Sequence, residues 1–153
     1  MYTELHCLTH YSFLRGASAP EELVGRAANS GYHALAITDE CSLAGVVKAH
    51  VAAKERGLKL IVGSEFTLTE GIRLVALVPS REAYGELSGL ISRARRRSGK
   101  GEYRVHLRDV IFHLKRCLLI LLPDDTDNQT VHLQQLARRC KGRVWIGISR
   151  LLG

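Results

Sequence analysis

The apolar residues of the chain fall into two kinds of segment that alternate along its length. Short, nearly continuous apolar runs, such as ALAITD at 34–39 and CLLILL at 117–122, are typical of strands buried on both faces of a sheet. Other segments carry apolar residues at helical spacing. The pattern predicts six strands, at 3–9, 34–39, 59–66, 73–78, 117–122 and 143–149. It also predicts five helices. Four of them lie at 19–29, 43–56, 106–114 and 129–141, and the fifth begins near Ser80 and reaches the arginines that follow residue 92.

Capping residues and glycines mark the ends of several of these helices. Ser18 is placed to cap the first helix, and Pro20 would stand in its first turn. Gly57 and Gly142 directly follow two other predicted helices, where a left-handed residue often ends the helix.

The alternation of strands and helices predicts an α/β fold in which most strands pair in parallel. Only a few residues separate the strands at 59–66 and 73–78, too few for a helical crossover, so these two are expected to form an antiparallel hairpin. A complete (β/α) barrel usually needs about 250 residues. The chain has 153, and no helix follows its last predicted strand. We therefore expect residues 1–153 to be the N-terminal part of a larger, truncated domain.

The composition is that of a globular protein, with 46% hydrophobic and 24% charged residues. No apolar run approaches the roughly 18 residues that cross a membrane, and the N-terminus has no secretory signal pattern. We expect a cytoplasmic protein without a membrane partner. The four cysteines include no C-x-x-C pair, so buried structural thiols are expected rather than a zinc or redox motif.

The formal net charge of +7 is concentrated in part in one basic cluster. Such a cluster attracts phosphate backbones, which makes DNA a candidate partner. A solvated helix end explains it equally well, since cations suit the negative end of the helix dipole. The cluster consists of Arg93, Arg95, Arg96, Arg97 and Lys100.

The opening stretch carries the candidate chemistry. In a period-2 strand Glu4, His6, Leu8 and His10 would point to one face, where Glu4, His6 and His10 could converge. The stretch is thus predicted to be either a metal site or the remains of one.

Four segments in order resemble the motifs of the polymerase and histidinol phosphatase (PHP) domain family. They are ELHCLTHYSFLRGAS at 4–18, ALAITDECSLAG at 34–45, LIVGSEF at 60–66 and RLVALVPSREAY at 73–84. The first two are similar to the error-prone branch of bacterial DNA polymerase III alpha subunits. The resemblance implies an incomplete, distorted (β/α) barrel of the PHP type, and it covers nearly the whole chain.

The resemblance also implies where a metal site would lie, because active members of the family hold a cluster of divalent metals and hydrolyse phosphoesters. His6 matches the first histidine of the family's H-x-H motif, Asp39 the acid of its D-H pair, and Glu65 the glutamate of its third motif. Glu40 stands where the D-H pair has its histidine. A degenerate metal site is therefore expected at His6, Asp39, Glu40 and Glu65, and no catalytic residue is assigned.

Other departures from the family pattern argue against a full cluster. Leu8 and Arg73 also stand at histidine positions, and Arg73 would bring positive charge to the cavity. Two alternatives remain for His6. It could help to hold a single divalent ion such as Zn²⁺, Mn²⁺ or Mg²⁺, or it could be a neutral imidazole bonded to Glu4 or Glu65, which we favour.

Three functions compete at this point. The first is an accessory, structural module of an error-prone, translesion polymerase associated with DNA repair, which has no palm, fingers or thumb and no polymerase activity by itself. Its partner would be the remainder of the polymerase chain or a separate polymerase subunit. The second is a free-standing metal-dependent phosphoesterase or nuclease. The third is a truncated reading frame without a function of its own.

Overall fold

The structure, a computed structural model that describes residues 2–123 and 130–148, contains six strands and five helices in those residues. All eleven predicted elements are present, and their ends differ by a few residues; Gln129 and Ser149, at which two predicted elements begin and end, lie outside the described residues. The strands are β1 (Thr3–Glu4), β2 (Ala34–Ile37), β3 (Lys59–Thr67), β4 (Arg73–Val78), β5 (Leu118–Leu122) and β6 (Val144–Ile146). The helices are α1 (Pro20–Asn29), α2 (Val46–Arg56), α3 (Arg81–Arg96), α4 (Leu107–His113) and α5 (Thr130–Arg139).

The strands form one curled sheet in chain order, which makes about half of a barrel. The pairs β1–β2, β2–β3 and β5–β6 are parallel, whereas β3–β4 and β4–β5 are antiparallel. The predicted β3–β4 hairpin is thereby confirmed. The antiparallel β4–β5 pair departs from the expected parallel pairing. The chain passes through α3 and α4 after β4 and then starts β5 at the same edge of the sheet where β4 ended, so that Leu118 pairs with Leu77. Of the six strands in the described residues, only β4 runs against the direction of the others.

Alternate residues of each strand face two different environments. In β4, Leu74 and Ala76 belong to the outer core, which packs against α3, α4 and α5. Val75 and Leu77 face the concave inner side, where they contact half-buried residues of β3 and β5. A second outer core lies between β2 and the helices α1 and α2. The helices therefore cover the outer surface, and the inner surface stays open.

The first strand is much shorter than the predicted 3–9. Only Thr3 and Glu4 pair with β2. Beyond them the backbone N–H groups bond to side chains, since Cys7 N donates to Thr38 Oγ1 at 3.0 Å and Thr9 N donates to Asp39 Oδ1 at 2.8 Å. Residues 5–19 therefore form a loop, the first loop, although polar and apolar residues alternate in its first half as they would in a strand.

Two helix starts also differ from the prediction. Ala19, rather than Ser18, precedes α1, and its backbone N–H donates to Glu22 at 2.9 Å. α2 begins at Val46, three residues after the predicted start, and ends as predicted at Gly57, whose φ of 66° is left-handed.

The open inner surface ends at an exposed sheet edge. Trp145 and Ile146 of β6, the last predicted strand, are 51% and 65% exposed. Together with β1, β4 and β5, β6 encloses a concave, mainly apolar space of about 690 Å³. Among the residues that the structure describes, no helix is both long and apolar enough to span a membrane.

Candidate functional site

Three of the four candidate residues, His6, Glu40 and Glu65, meet where β1, β2 and β3 end, on the inner side of the sheet. The first loop crosses the end of β2, held there by a hydrogen bond of 2.8 Å from Thr38 N to Cys7 O. Just beyond β2, Glu40 pairs with Glu65 of β3 in a parallel bridge. This arrangement brings His6 and Arg15 of the first loop against two carboxylates that are 25 residues apart in the sequence.

Glu65 is the centre of the site and is fully buried. Its Oε1 accepts a hydrogen bond from Arg15 Nη1 at 2.7 Å. Its Oε2 accepts from Arg15 Nη2 at 3.2 Å and contacts His6 Nε2 at 2.6 Å. Arg73 adds a second cation, with its Nε 3.8 Å from Oε1 and without a hydrogen bond. Both oxygens of Glu65 are therefore engaged by protein groups.

The surroundings of Glu65 keep it ionised. Burial by itself would raise its pKa, but the hydrogen bonds from His6 and Arg15, together with their charges, outweigh burial and lower the pKa to about 2. An ionised carboxylate only accepts hydrogen bonds, so His6 Nε2 must carry the proton that it shares with Glu65. His6 is bonded to one of the two carboxylates that the sequence suggested, and its Nε2 has no lone pair left for a metal.

Glu40 bridges two other groups. Its Oε2 accepts from Arg15 Nη1 at 2.9 Å, and its Oε1 accepts from the Tyr103 hydroxyl at 2.7 Å. The same hydroxyl accepts a hydrogen bond from Thr67 N at 2.8 Å. Burial and the nearby Glu40 raise the pKa of Tyr103, which therefore stays a proton donor at neutral pH. Glu40 is thus held from both sides.

The carboxylate of Asp39 bonds to the first loop and not to the other candidate residues. Its Oδ1 accepts from Thr9 N at 2.8 Å and Ser12 Oγ at 2.7 Å, and its Oδ2 accepts from Thr9 Oγ1 at 2.8 Å. Asp39 is 1% exposed. It anchors the first loop and does not face Glu65 with the others.

The structure thus unites three of the four predicted residues and adds two that sequence reasoning missed. His6, Glu40 and Glu65 form one cluster, and Arg15 and Tyr103 complete it. Arg15 lies inside the motif at 4–18, but its partners are 25 and 50 residues away, so no local pattern indicated them. His10 is exposed and packs against the ring of Tyr11 at 4.6 Å, outside the cluster.

This arrangement does not fit the divalent-metal site that the family resemblance implies. A metal needs carboxylate lone pairs and a deprotonated imidazole nitrogen that are free to point at one centre. Here a cation of the protein already bridges two of the carboxylates, since Arg15 Nη1 lies 2.9 Å from Glu40 Oε2 and 2.7 Å from Glu65 Oε1 and would repel a divalent ion. Among the described residues, no three histidine, cysteine or acidic side chains are grouped to hold an ion.

The basic cluster divides into two parts. Arg95 turns inward, donates to the carbonyl oxygens of Glu40 and Cys41 at 3.2–3.3 Å and lies 5.4 Å from the Tyr103 ring centre. Arg97 pairs with Asp109 at 2.6 Å. The other members, Arg93, Arg96 and Lys100, are exposed, and within the described part of the chain their side chains make no hydrogen bond or ion pair.

Comparison with known proteins agrees with the fold. The model of the PHP domain family matches residues 4–137. An error-prone DNA polymerase of Saccharophagus degradans is 59% identical over 152 residues, and one of Teredinibacter turnerae is 49% identical over 151. Each match covers 99% of this chain and 15% of the relative, so the chain spans about 15% of the length of these polymerases.

Two solved structures share the fold at low sequence identity. A putative metal-dependent phosphoesterase from Bifidobacterium adolescentis superposes with a TM-score of 0.71 at 19% identity, covering 95% of this chain and 76% of the other. An amidohydrolase from Chromobacterium violaceum gives a TM-score of 0.67 at 18% identity, with the same coverages. The fold, the four motifs and the match to the family model together show that the chain belongs to the PHP domain family.

Proposed function

We propose that this chain is an accessory, structural module of an error-prone DNA polymerase of the DNA polymerase III alpha type. In this proposal residues 1–153 are the N-terminal part of a PHP domain, without palm, fingers or thumb, and have no polymerase activity of their own. The single observation that carries it is the 59% identity to an error-prone polymerase, which extends over 99% of this chain and 15% of that polymerase. A role in translesion synthesis and repair in the cytoplasm belongs to the same proposal.

The open inner surface supports a structural partner. Leu118, Ile120 and Leu122 of β5 face a concave apolar space, and Trp145 and Ile146 of β6 extend it to an exposed edge. Contiguous apolar surface of this kind is characteristic of an interface. We propose that further polymerase residues, in the same chain or in a separate subunit, cover it.

A metal-dependent phosphoesterase or nuclease is the second candidate, favoured by the name of one solved structure with the same fold. Such chemistry requires an ion with an open coordination position that activates a water molecule. The carboxylates that would hold it are hydrogen-bonded to Arg15, Tyr103 and the first loop instead. The donor set thus supports the structural role over the hydrolytic one.

Contact with DNA stays a proposal, restricted to part of the predicted cluster. Arg95 is half-buried and donates to carbonyl groups, and Arg97, although exposed, is paired with Asp109. Arg93, Arg96 and Lys100 are exposed, and they are the residues we propose for salt-dependent contact with phosphates.

A segment exchange in the Saccharophagus degradans polymerase tests the structural role. Three versions are compared for yield of soluble protein and for primer extension: the native enzyme, one without the matching N-terminal segment, and one in which this chain replaces that segment. We expect the exchange to preserve both properties and the deletion to lose them. Ile120→Glu on the inner surface should impair the exchanged enzyme, whereas Val131→Glu, on the exposed side of α5, is the matched control. An active, soluble deletion would contradict the proposal.

The isolated chain provides the complementary test. We expect no nucleotide incorporation in primer extension and no hydrolysis of a generic phosphodiester with added Mn²⁺ or Zn²⁺. Incorporation by the isolated chain would overturn the proposal. Metal-dependent hydrolysis that disappears in His6→Ala would establish the second candidate.

A further inference from the structure

We infer that the guanidinium of Arg15 takes the place of a divalent cation, as a fixed internal charge that holds His6, Glu40 and Glu65 together. The inference deepens the proposed structural function, on which it rests. It explains why a cluster of acids that the family uses for metals is stable here with protein groups alone. Three observations carry it: the geometry of Arg15, the shape of the loop that presents it, and the role of Asp39.

Arg15 makes the contacts that a shared cation would make. Its two terminal nitrogens bond to the two oxygens of Glu65 at 2.7 and 3.2 Å, a fork that matches the carboxylate. Nη1 also bonds to Glu40 at 2.9 Å, so one cation bridges both carboxylates. His6 closes the cluster on the second oxygen of Glu65.

The first loop is shaped to deliver this side chain. Arg15 N donates to Ser12 O at 2.9 Å, which closes a tight turn, and Leu14 within the turn has a left-handed φ of 60°. A left-handed leucine is strained, and it persists only where the surrounding structure imposes it. Leu14 is 89% exposed, so burial of its own side chain does not provide the compensation.

Asp39 anchors this turn instead of joining the cluster. It accepts hydrogen bonds from Ser12 and Thr9, and the Ser12 hydroxyl accepts in turn from Glu40 N at 3.0 Å. The backbone at Cys41, next to Glu40, also has a left-handed φ of 45°. Both strained positions therefore neighbour the members of the Arg15–Glu40 pair.

Metal-dependent thermal unfolding tests the inference. The wild type is compared with Arg15→Met, which keeps the length of the side chain without its charge, at pH 7 with chelator, Zn²⁺ or Mn²⁺. We expect the Tm of Arg15→Met to be lower in chelator and to rise on addition of metal, with calorimetric titration giving one ion per chain. The wild type should show neither response. Arg15→Met/Glu65→Gln should lose the metal response, which assigns the ion to this cluster.

Two further variants keep the test decisive if Arg15→Met does not fold. Arg15→Gln is a milder removal of the charge and is expected to show the same metal response. Arg116→Met, at an exposed ion pair with Glu86, should show none. Absence of a metal-induced rise in both neutral Arg15 variants overturns this inference alone and leaves the structural function intact. A rise in the wild type overturns this inference as well and favours the metal-dependent candidate, whereas the structural function is tested separately by the segment exchange.

Discussion

The pair of Arg15 and Glu65 should be energetically coupled far more strongly than an ordinary surface pair. A double-mutant cycle of Arg15→Met and Glu65→Gln isolates that coupling, because it subtracts what each side chain contributes separately. Glutamine keeps the shape of Glu65 and removes its charge. Removing one partner alone leaves the other charge partly buried, so both single variants should be destabilised.

The magnitude follows from the carboxyl group. Its pKa falls from 4.5 to about 2, which corresponds to about 3 kcal/mol of stabilisation of the ionised form. His6 provides part of this effect. The Arg15 side chain is 32% exposed, so solvent screens its share, and we expect a coupling free energy of about 2 kcal/mol.

The assay is urea unfolding followed by circular dichroism at pH 7 and physiological salt. The matched control is the pair Arg116–Glu86, which has a similar N–O distance of 2.6 Å but an arginine that is 60% exposed. The cycle of Arg116→Met and Glu86→Gln should give about 0.5 kcal/mol. A coupling at Arg15–Glu65 no larger than that of the control would refute the reasoning.

Three further predictions concern acid, the first loop and the thiols. Because the folded-state pKa of Glu65 lies below its ordinary value, its contribution is present above pH 4.5 and is lost as the pH falls toward about 2. The stability difference between wild type and Glu65→Gln, measured by urea unfolding, should therefore shrink only below pH 4.5; an unchanged difference in acid would contradict this. Gly16→Ala should lower stability by about 2 kcal/mol, because its Cβ would lie 2.0 Å from Thr9 O. The control Gly85→Ala, on the exposed side of α3 with nothing within 4 Å, should raise stability by about 0.5–1 kcal/mol. If calorimetry gave the same change in stability for both glycine variants, the close approach of Gly16 to Thr9 would be contradicted. Burial raises the pKa of Cys7 and Cys41 to about 11, so a thiol reagent at mildly alkaline pH should react slowly with the native protein and quickly after denaturation, and rapid native reaction would disprove this.

The pattern of apolar residues predicts the strands of the sheet correctly, except where hydrogen bonds to polar side chains determine the backbone conformation. β4 was predicted with both of its ends, because its continuous apolar run has cores on both sides. The first strand was extended by five residues, because hydrogen bonds to the side chains of Thr38 and Asp39 hold a loop there. A pattern along one segment carries no information about such distant partners.

The candidate site was predicted in part, for a related reason. Motif resemblance indicates one site at His6, Asp39, Glu40 and Glu65. His6 and Glu40 do lie beside Glu65, whereas the Asp39 carboxylate bonds to the first loop instead. Arg15 and Tyr103 were missed because their roles come from contacts across 25 to 63 residues of chain. The sequence groups the basic residues in one cluster, but Arg95 is turned inward by carbonyl groups that only the folded chain places beside it.

The metal content of the wild-type protein tests the central claim most directly. The purified chain is dialysed against Zn²⁺ and Mn²⁺, freed of loose ions, and analysed by inductively coupled plasma mass spectrometry beside His6→Ala. If Arg15 closes the cluster, both proteins should contain far less than one ion per chain. One tightly bound ion in the wild type that is absent from His6→Ala would contradict the account.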